Sequence, residues 1–153
     1  MSPPPPPDGP PVRIGLLGCG TVGQAVVRML SEGGETITRA SGHRLELGPV
    51  LVRDASRPRP GVDPALITTD PAVVLEDPTV SIVVEVMGGL DPTLGYLRTA
   101  LARGASVVTA NKQLLARNGP ELLAAAQAGG AELRFEASAC AAIPVIKVLR
   151  ESL

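Results

Sequence analysis

Three glycines spaced Gly18-x-Gly20-x-x-Gly23, within GLLGCGTVGQAV at residues 15–26, are costly to order, because glycine loses more backbone freedom on folding than any other residue. The chemistry that this spacing serves is the holding of an anion. Gly18 allows a tight turn after an apolar run, Gly20 leaves no Cβ in the way of a pyrophosphate, and Gly23 lets a following helix pack close to a strand. The helix N-terminus then offers unpaired amides and a partial positive charge. A second group is VRDASRPRP at 52–60, where Arg53, Arg57 and Arg59 stand against one acid, Asp54. A third is Lys112, directly after an apolar run ending in Thr109-Ala-Asn111. Read alone it is a surface lysine; at the C-terminal end of a core strand it becomes a candidate cation for a developing oxyanion. Glu85 ends another apolar run, where it either bonds a ligand hydroxyl or caps a loop.

Other reactive types read as structural. Cys19 occupies an x position of the glycine loop, so its backbone belongs to that loop and its side chain is a small buried filler. Cys140 reads as a packing residue. The two cysteines have no metal-ligand spacing, and the single histidine, His43, lies in an inserted polar stretch. The net charge is −1, without a basic block, and Tyr96 and Phe135 are the sole aromatics, so stacking platforms and a phosphate-backbone surface for nucleic acid are not expected. No apolar run reaches the roughly 18 residues of a membrane helix. With no secretory pattern at the N-terminus, the expected setting is the cytoplasm.

Elements must carry these residues. MSPPPPPDGPP, residues 1–11, favours polyproline II or disorder and reads as a solvated tail. From residue 12 short apolar runs alternate with helical stretches. VRIGLL, PVLVRD, ALITTD, SIVVEVMGG, ASVVTANK and ELRFEAS read as strands, Pro49 marking either the start of the second or a bulge in it. TVGQAVVRMLSEGG, PAVVLEDP, DPTLGYLRTALARG and GPELLAAAQAGG read as helices, with Asp91 as a cap, Pro92 in a first turn and Gly104 as a stop. The alternation predicts an α/β fold of Rossmann type, a doubly wound and mostly parallel sheet with helices on both faces, in the order 3-2-1-4-5-6. The expected dinucleotide-binding domain covers 12–142, and 143–153 begins a further helix. About thirty residues separate Gly23 from Arg53, against roughly twenty in the dinucleotide fingerprint, and ETITRASGHR supplies the excess. Three arginines against one acid favour NADP, with NAD as the alternative.

GLLGCGTVGQAVV, VVEVMGG, VVTANKQLLA and FEASACAAIPVIKVLR occur in that order, and together they resemble the nucleotide-binding half of homoserine dehydrogenase. The resemblance runs from about Val12 to Leu153. It implies an NAD(P)-dependent oxidoreductase interconverting homoserine and aspartate 4-semialdehyde, a small-molecule substrate, on the way to threonine and methionine. It implies that Gly18, Cys19, Gly20, Thr21, Val22 and Gly23 carry the pyrophosphate and that Arg53 faces the 2′-phosphate. Met87 and Gly88 would line the adenosine side, Thr109 and Asn111 would approach the nicotinamide, and Lys112 would be catalytic at the cofactor–substrate junction. It also implies a monovalent cation, generally sodium, on the carbonyls of Glu136, Ala139, Ala141 and Ile143, where Ala141-Ala142 replaces the usual Gly-Gly. The substrate and dimerisation domain of the family is not in this sequence, so the 153 residues alone are expected to be inactive, and a homodimer is expected only with that domain. A dinucleotide-binding module without catalysis, such as a redox sensor, is the alternative reading.

Overall fold

The structure is a computed structural model and describes residues 9–140; the expected tail over 1–8 and the expected helix over 143–153 lie outside the described residues. Short apolar runs form a parallel sheet of six strands in the order β3-β2-β1-β4-β5-β6. The strands are β1 Val12–Leu17, β2 Leu45–Leu51, β3 Ile67–Thr68, β4 Val80–Glu85, β5 Ser106–Thr109 and β6 Leu133–Arg134. This is the expected order. It puts the C-terminal ends of β1, β2 and β4 side by side, where ligands of such sheets lie. Between the strands run α1 Thr21–Glu32, α2 Gly34–Ser41, α3 Ala72–Leu75, α4 Thr93–Ala102 and α5 Lys112–Gly129, and α6 Glu136–Cys140 follows β6.

Two aliphatic clusters hold the layers. On one face Leu17, Val83, Val107 and Leu133 of the strands share a cluster with Leu97, Leu101, Leu114 and Leu122 of α4 and α5. On the other, Leu16 and Val50 pack with Val27 of α1 and with Val62. That second layer is shorter: Val108 is 38% exposed on β5. No helix among the described residues is long and apolar enough to cross a membrane.

Four local differences from the sequence reading have physical causes. ETITRAS, expected as part of an insertion, folds as α2 and closes on Gly42 in the left-handed region, φ 72°. β2 starts at Leu45 rather than beside Pro49; the register against β1 slips between the pairs Ile14–Leu47 and Leu16–Val50, so of the two readings of Pro49 the bulge, at Gly48-Pro49, is the one the structure has. α5 begins at Lys112 rather than Gly119, because Asn111 accepts a bond from the Leu114 amide and caps it; the bond that Pro120 cannot donate is lost within the helix. β6 ends at Arg134, and Glu136 to Ser138, expected in the strand, turn into α6. The expected Asp91 cap is also absent: no side chain caps α4, which starts behind Pro92. Gly104, at φ 87°, does stop that helix.

Candidate functional site

The glycine loop separates into glycines that the protein needs and one that it does not. Gly18 has φ 96°, and a Cβ on it would lie 2.9 Å from the Met87 Cα. A Cβ on Gly23 would meet the Gly18 carbonyl oxygen. Both positions therefore belong to the packing of β1, α1 and the loop after β4. Gly20 is different: it sits at the N-cap of α1 with φ −84°, and a Cβ there would find nothing within 4 Å. No side chain caps α1, so the amides of its first turn, Thr21 to Gly23, face open ground. Thr21 and Val22 are exposed, and Gly23 is buried.

Two crevices meet at this point. One, of about 830 Å³, opens at the ends of β1, β2 and β4 and is lined by Gly18, Gly20, Val52, Arg53, Met87 and Gly88 among others. A second, of about 820 Å³, lies between α1 and the loop over 57–61, and the two share Cys19, Gly20, Arg57 and Arg59. Both lie within the usual size of small-molecule and cofactor sites. Arg53 and Arg57 are exposed at the rim. Arg59 is half-buried and fixed, its guanidinium donating to the carbonyls of Arg57 at 2.7 Å and Asp54 at 3.0 Å. Asp54, which could compete for ribose hydroxyls, instead accepts from the Ser56 hydroxyl at 2.6 Å and the Ser56 amide at 2.9 Å. Those bonds, the hydroxyl first, hold its carboxyl below the usual carboxylate range. Burial pushes the Cys19 thiol up against the opposing charge of Arg59, in keeping with a filler rather than a nucleophile.

The opposite wall is tied from behind. Glu85 is fully buried, and its carboxylate accepts from the amides of Met87 at 2.9 Å and Gly88 at 2.8 Å and from the Thr109 hydroxyl at 2.5 Å. It is thus occupied with the loop and with β5. The Thr109 side chain is buried, and its hydroxyl also accepts from the Asn111 amide. Asn111 donates to the Gly89 carbonyl at 2.6 Å while capping α5. Lys112, the first residue of α5, is exposed just beyond it. The Ser138 hydroxyl donates to the Thr109 carbonyl at 2.8 Å, a tie that sequence reading missed because nothing local pairs residues so far apart.

The structure thus gathers Gly18, Cys19, Gly20, Arg53, Met87 and Gly88 around one crevice, puts Thr21 on its neighbour, and leaves Thr109, Asn111 and Lys112 behind or beyond the rim. Glu136 and Ala139 fall in α6, and Ala141 and Ile143 lie outside the described residues. Among the described residues no three His, Cys, Asp or Glu side chains converge as a metal site, and His43 is exposed.

Comparison with known proteins identifies relatives of the same fold. The family model for the NAD binding domain of homoserine dehydrogenase matches residues 18–136. Homoserine dehydrogenase of Corynebacterium glutamicum is 45% identical over 145 residues, which are 95% of this chain and 33% of that protein. That of Bacillus subtilis is 40% identical, over 93% of this chain and 33% of its own length. The crystal structure of a homoserine dehydrogenase from Thiobacillus denitrificans superposes with a TM-score of 0.87 at 42% identity, covering 94% of this chain and 33% of that one. A hyperthermophilic archaeal homoserine dehydrogenase in complex with NADPH gives a TM-score of 0.74 at 26% identity, over 92% of this chain and 48% of that one. The chain spans about a third of the length of the curated relatives it matches.

Proposed function

The chain belongs to the family of homoserine dehydrogenase NAD-binding domains, and we propose that it holds NADP(H) against the glycine loop as the cofactor part of an enzyme interconverting homoserine and aspartate 4-semialdehyde. The observation that carries this reading is Gly20: it stands at the N-terminus of α1, which no side chain caps, and a Cβ on it would meet no protein atom within 4 Å, so the first-turn amides are open to an anion. The bound dinucleotide supplies or accepts the hydride. The chain's own residues do the positioning. First-turn amides of α1 bind the pyrophosphate, Met87 and Gly88 wall the crevice, and Lys112 provides a cation near the end of β5 where negative charge would build on the reacting oxygen.

The preference for the 2′-phosphate rests on Arg53 and Arg57, two exposed guanidiniums at the rim, and on Asp54, one of whose two carboxylate oxygens is engaged by Ser56. Charge-assisted bonds of this kind contribute about 1.5–3 kcal/mol, which is roughly ten- to a hundredfold in affinity. Calorimetric titration is expected to show NADPH binding tighter than NADH by about that factor, with the gap closing in Arg53→Ala. Equal affinities for the two in the unsubstituted chain would overturn the NADP assignment.

Catalysis is tested separately. The 153-residue chain expressed alone is expected to bind NADPH but not to oxidise it with aspartate 4-semialdehyde. Holding a substrate against the cofactor accounts for about 7–11 kcal/mol of a typical barrier. Activity should appear when the remaining two thirds of a relative such as the Corynebacterium protein is joined to it. Turnover by the 153 residues unaided would mean that residues assigned here to structure build a complete site. A joined protein that binds NADPH yet stays inert would favour a binding module without catalysis.

A further inference from the structure

We propose that Glu85 is a positioning residue that sets the β4–β5 side of the dinucleotide crevice through a closed ring of hydrogen bonds; this rests on the dinucleotide reading given above. The ring runs from Glu85 Oε1 to the Gly88 amide at 2.8 Å, along the chain to the Gly89 carbonyl, and across to Asn111 Nδ2 at 2.6 Å. It returns from the Asn111 amide to the Thr109 hydroxyl at 3.1 Å, and from that hydroxyl to Glu85 Oε2 at 2.5 Å. Met87 adds a second amide to Oε1 at 2.9 Å, and Thr93 anchors the Gly88 carbonyl from outside at 2.8 Å.

The ring joins parts that no local rule joins. Gly88 and Gly89 both lie in the left-handed region, φ 73° and 77°, so the loop after β4 curls its amides around one acceptor. Asn111 starts α5 and therefore fixes where Lys112 emerges. Three donors converge on two buried carboxylate oxygens, and a carboxylate offers acceptors alone, so every bond of the ring has one direction. An amide in the place of Glu85 breaks that directionality. Its NH₂ would face the Thr109 hydroxyl, which already accepts from Asn111, and the hydroxyl proton would be left without its acceptor. The loop and the start of α5 would then shift relative to each other. Among the described residues, no hydrogen bond links the ring to the Arg53 side of the crevice, which follows β2 across β1; Arg59 there bonds only Asp54 and Arg57.

Two dinucleotides that differ at the Arg53 side alone separate these sides: NADPH carries the 2′-phosphate that the Arg53 side receives, and NADH lacks it. Glu85→Gln is expected to weaken both about tenfold or more while the ratio of the two affinities stays within about twofold of the parent's. Thr109→Val should do the same, and Thr109→Ser, which keeps the hydroxyl, should restore NADPH affinity relative to Thr109→Val. If Glu85→Gln fails to fold, the Thr109 pair carries the test. A collapse of the ratio together with the affinities would mean a general loosening and would overturn the positioning role, as would unchanged NADPH affinity in folded variants. Failure of the unsubstituted chain to bind either dinucleotide would overturn the dinucleotide reading and the positioning role together.

Discussion

Gly20→Val is expected to abolish dinucleotide binding and to leave the domain folded. A Cβ at this position meets no protein atom within 4 Å, and the backbone there, φ −84° and ψ −153°, is extended and open to any residue. The cost to the fold is the loss of a better N-cap residue, about 1 kcal/mol. The cost to the ligand is much larger, because the isopropyl group fills the space in which a pyrophosphate would approach the first-turn amides. Losing several charge-assisted bonds at about 1.5–3 kcal/mol each takes the affinity down by a hundredfold or more. Circular dichroism should match the parent, with the thermal midpoint lowered by a few degrees at most, while calorimetry with NADPH shows no heat above dilution. Undiminished binding in the folded variant would place the ligand elsewhere.

Gly129→Ala does the reverse: it strikes the fold at a distance from the crevice. Gly129 is the last residue of α5, and a Cβ on it would overlap the Leu101 carbonyl oxygen of α4. The Cβ is fixed by the backbone and its partner is a backbone carbonyl, so no side-chain rotation relieves the contact. The two helices must separate, and Leu97, Leu101 and Leu122 between them are all fully buried. Overpacking of this severity costs about 3 kcal/mol or more, which for a domain of this size lowers the thermal midpoint by roughly 6–12 °C. A midpoint within about 2 °C of the parent would show that α4 and α5 do not rely on so close an approach. NADPH affinity, measured well below the transition, should stay near that of the parent.

The contrast between these glycines explains how much was legible in the sequence. Strand order and the place of the crevice follow from apolar runs and a glycine spacing, which are local signals, and both match the structure. The arginines after β2 also lie where their sequence position puts them. Local signals misled where tertiary contacts decide. ETITRAS is polar enough to pass for a loop, and it forms α2 with no fully buried residue. Gly119-Pro120 reads as a helix start, but the cap at Asn111 lies upstream and is itself held by the Gly89 carbonyl, from another element. The partners of Glu85 could not be chosen from sequence. Its bond to Thr109 joins neighbouring strands, and only the register of β4 against β5 sets those two residues opposite each other.

The position of β1 at the centre of the sheet also bears on the order in which a growing chain can become native. Among the described residues β1 is made before every other strand, yet its two neighbours are β2 and β4, and all three run parallel. Parallel neighbours cannot close as a hairpin and must wait for a crossover. One edge of β1 is therefore served by β2, while its other edge, Ile14 to Leu17, stays unpaired until Ile82 to Glu85 have been synthesised. During that interval the nascent chain displays an apolar strand edge, which is the kind of surface that templates wrong pairings. The ribosome and its attendant chaperones would thus meet this protein as a half-sheet with an apolar strand open on one side.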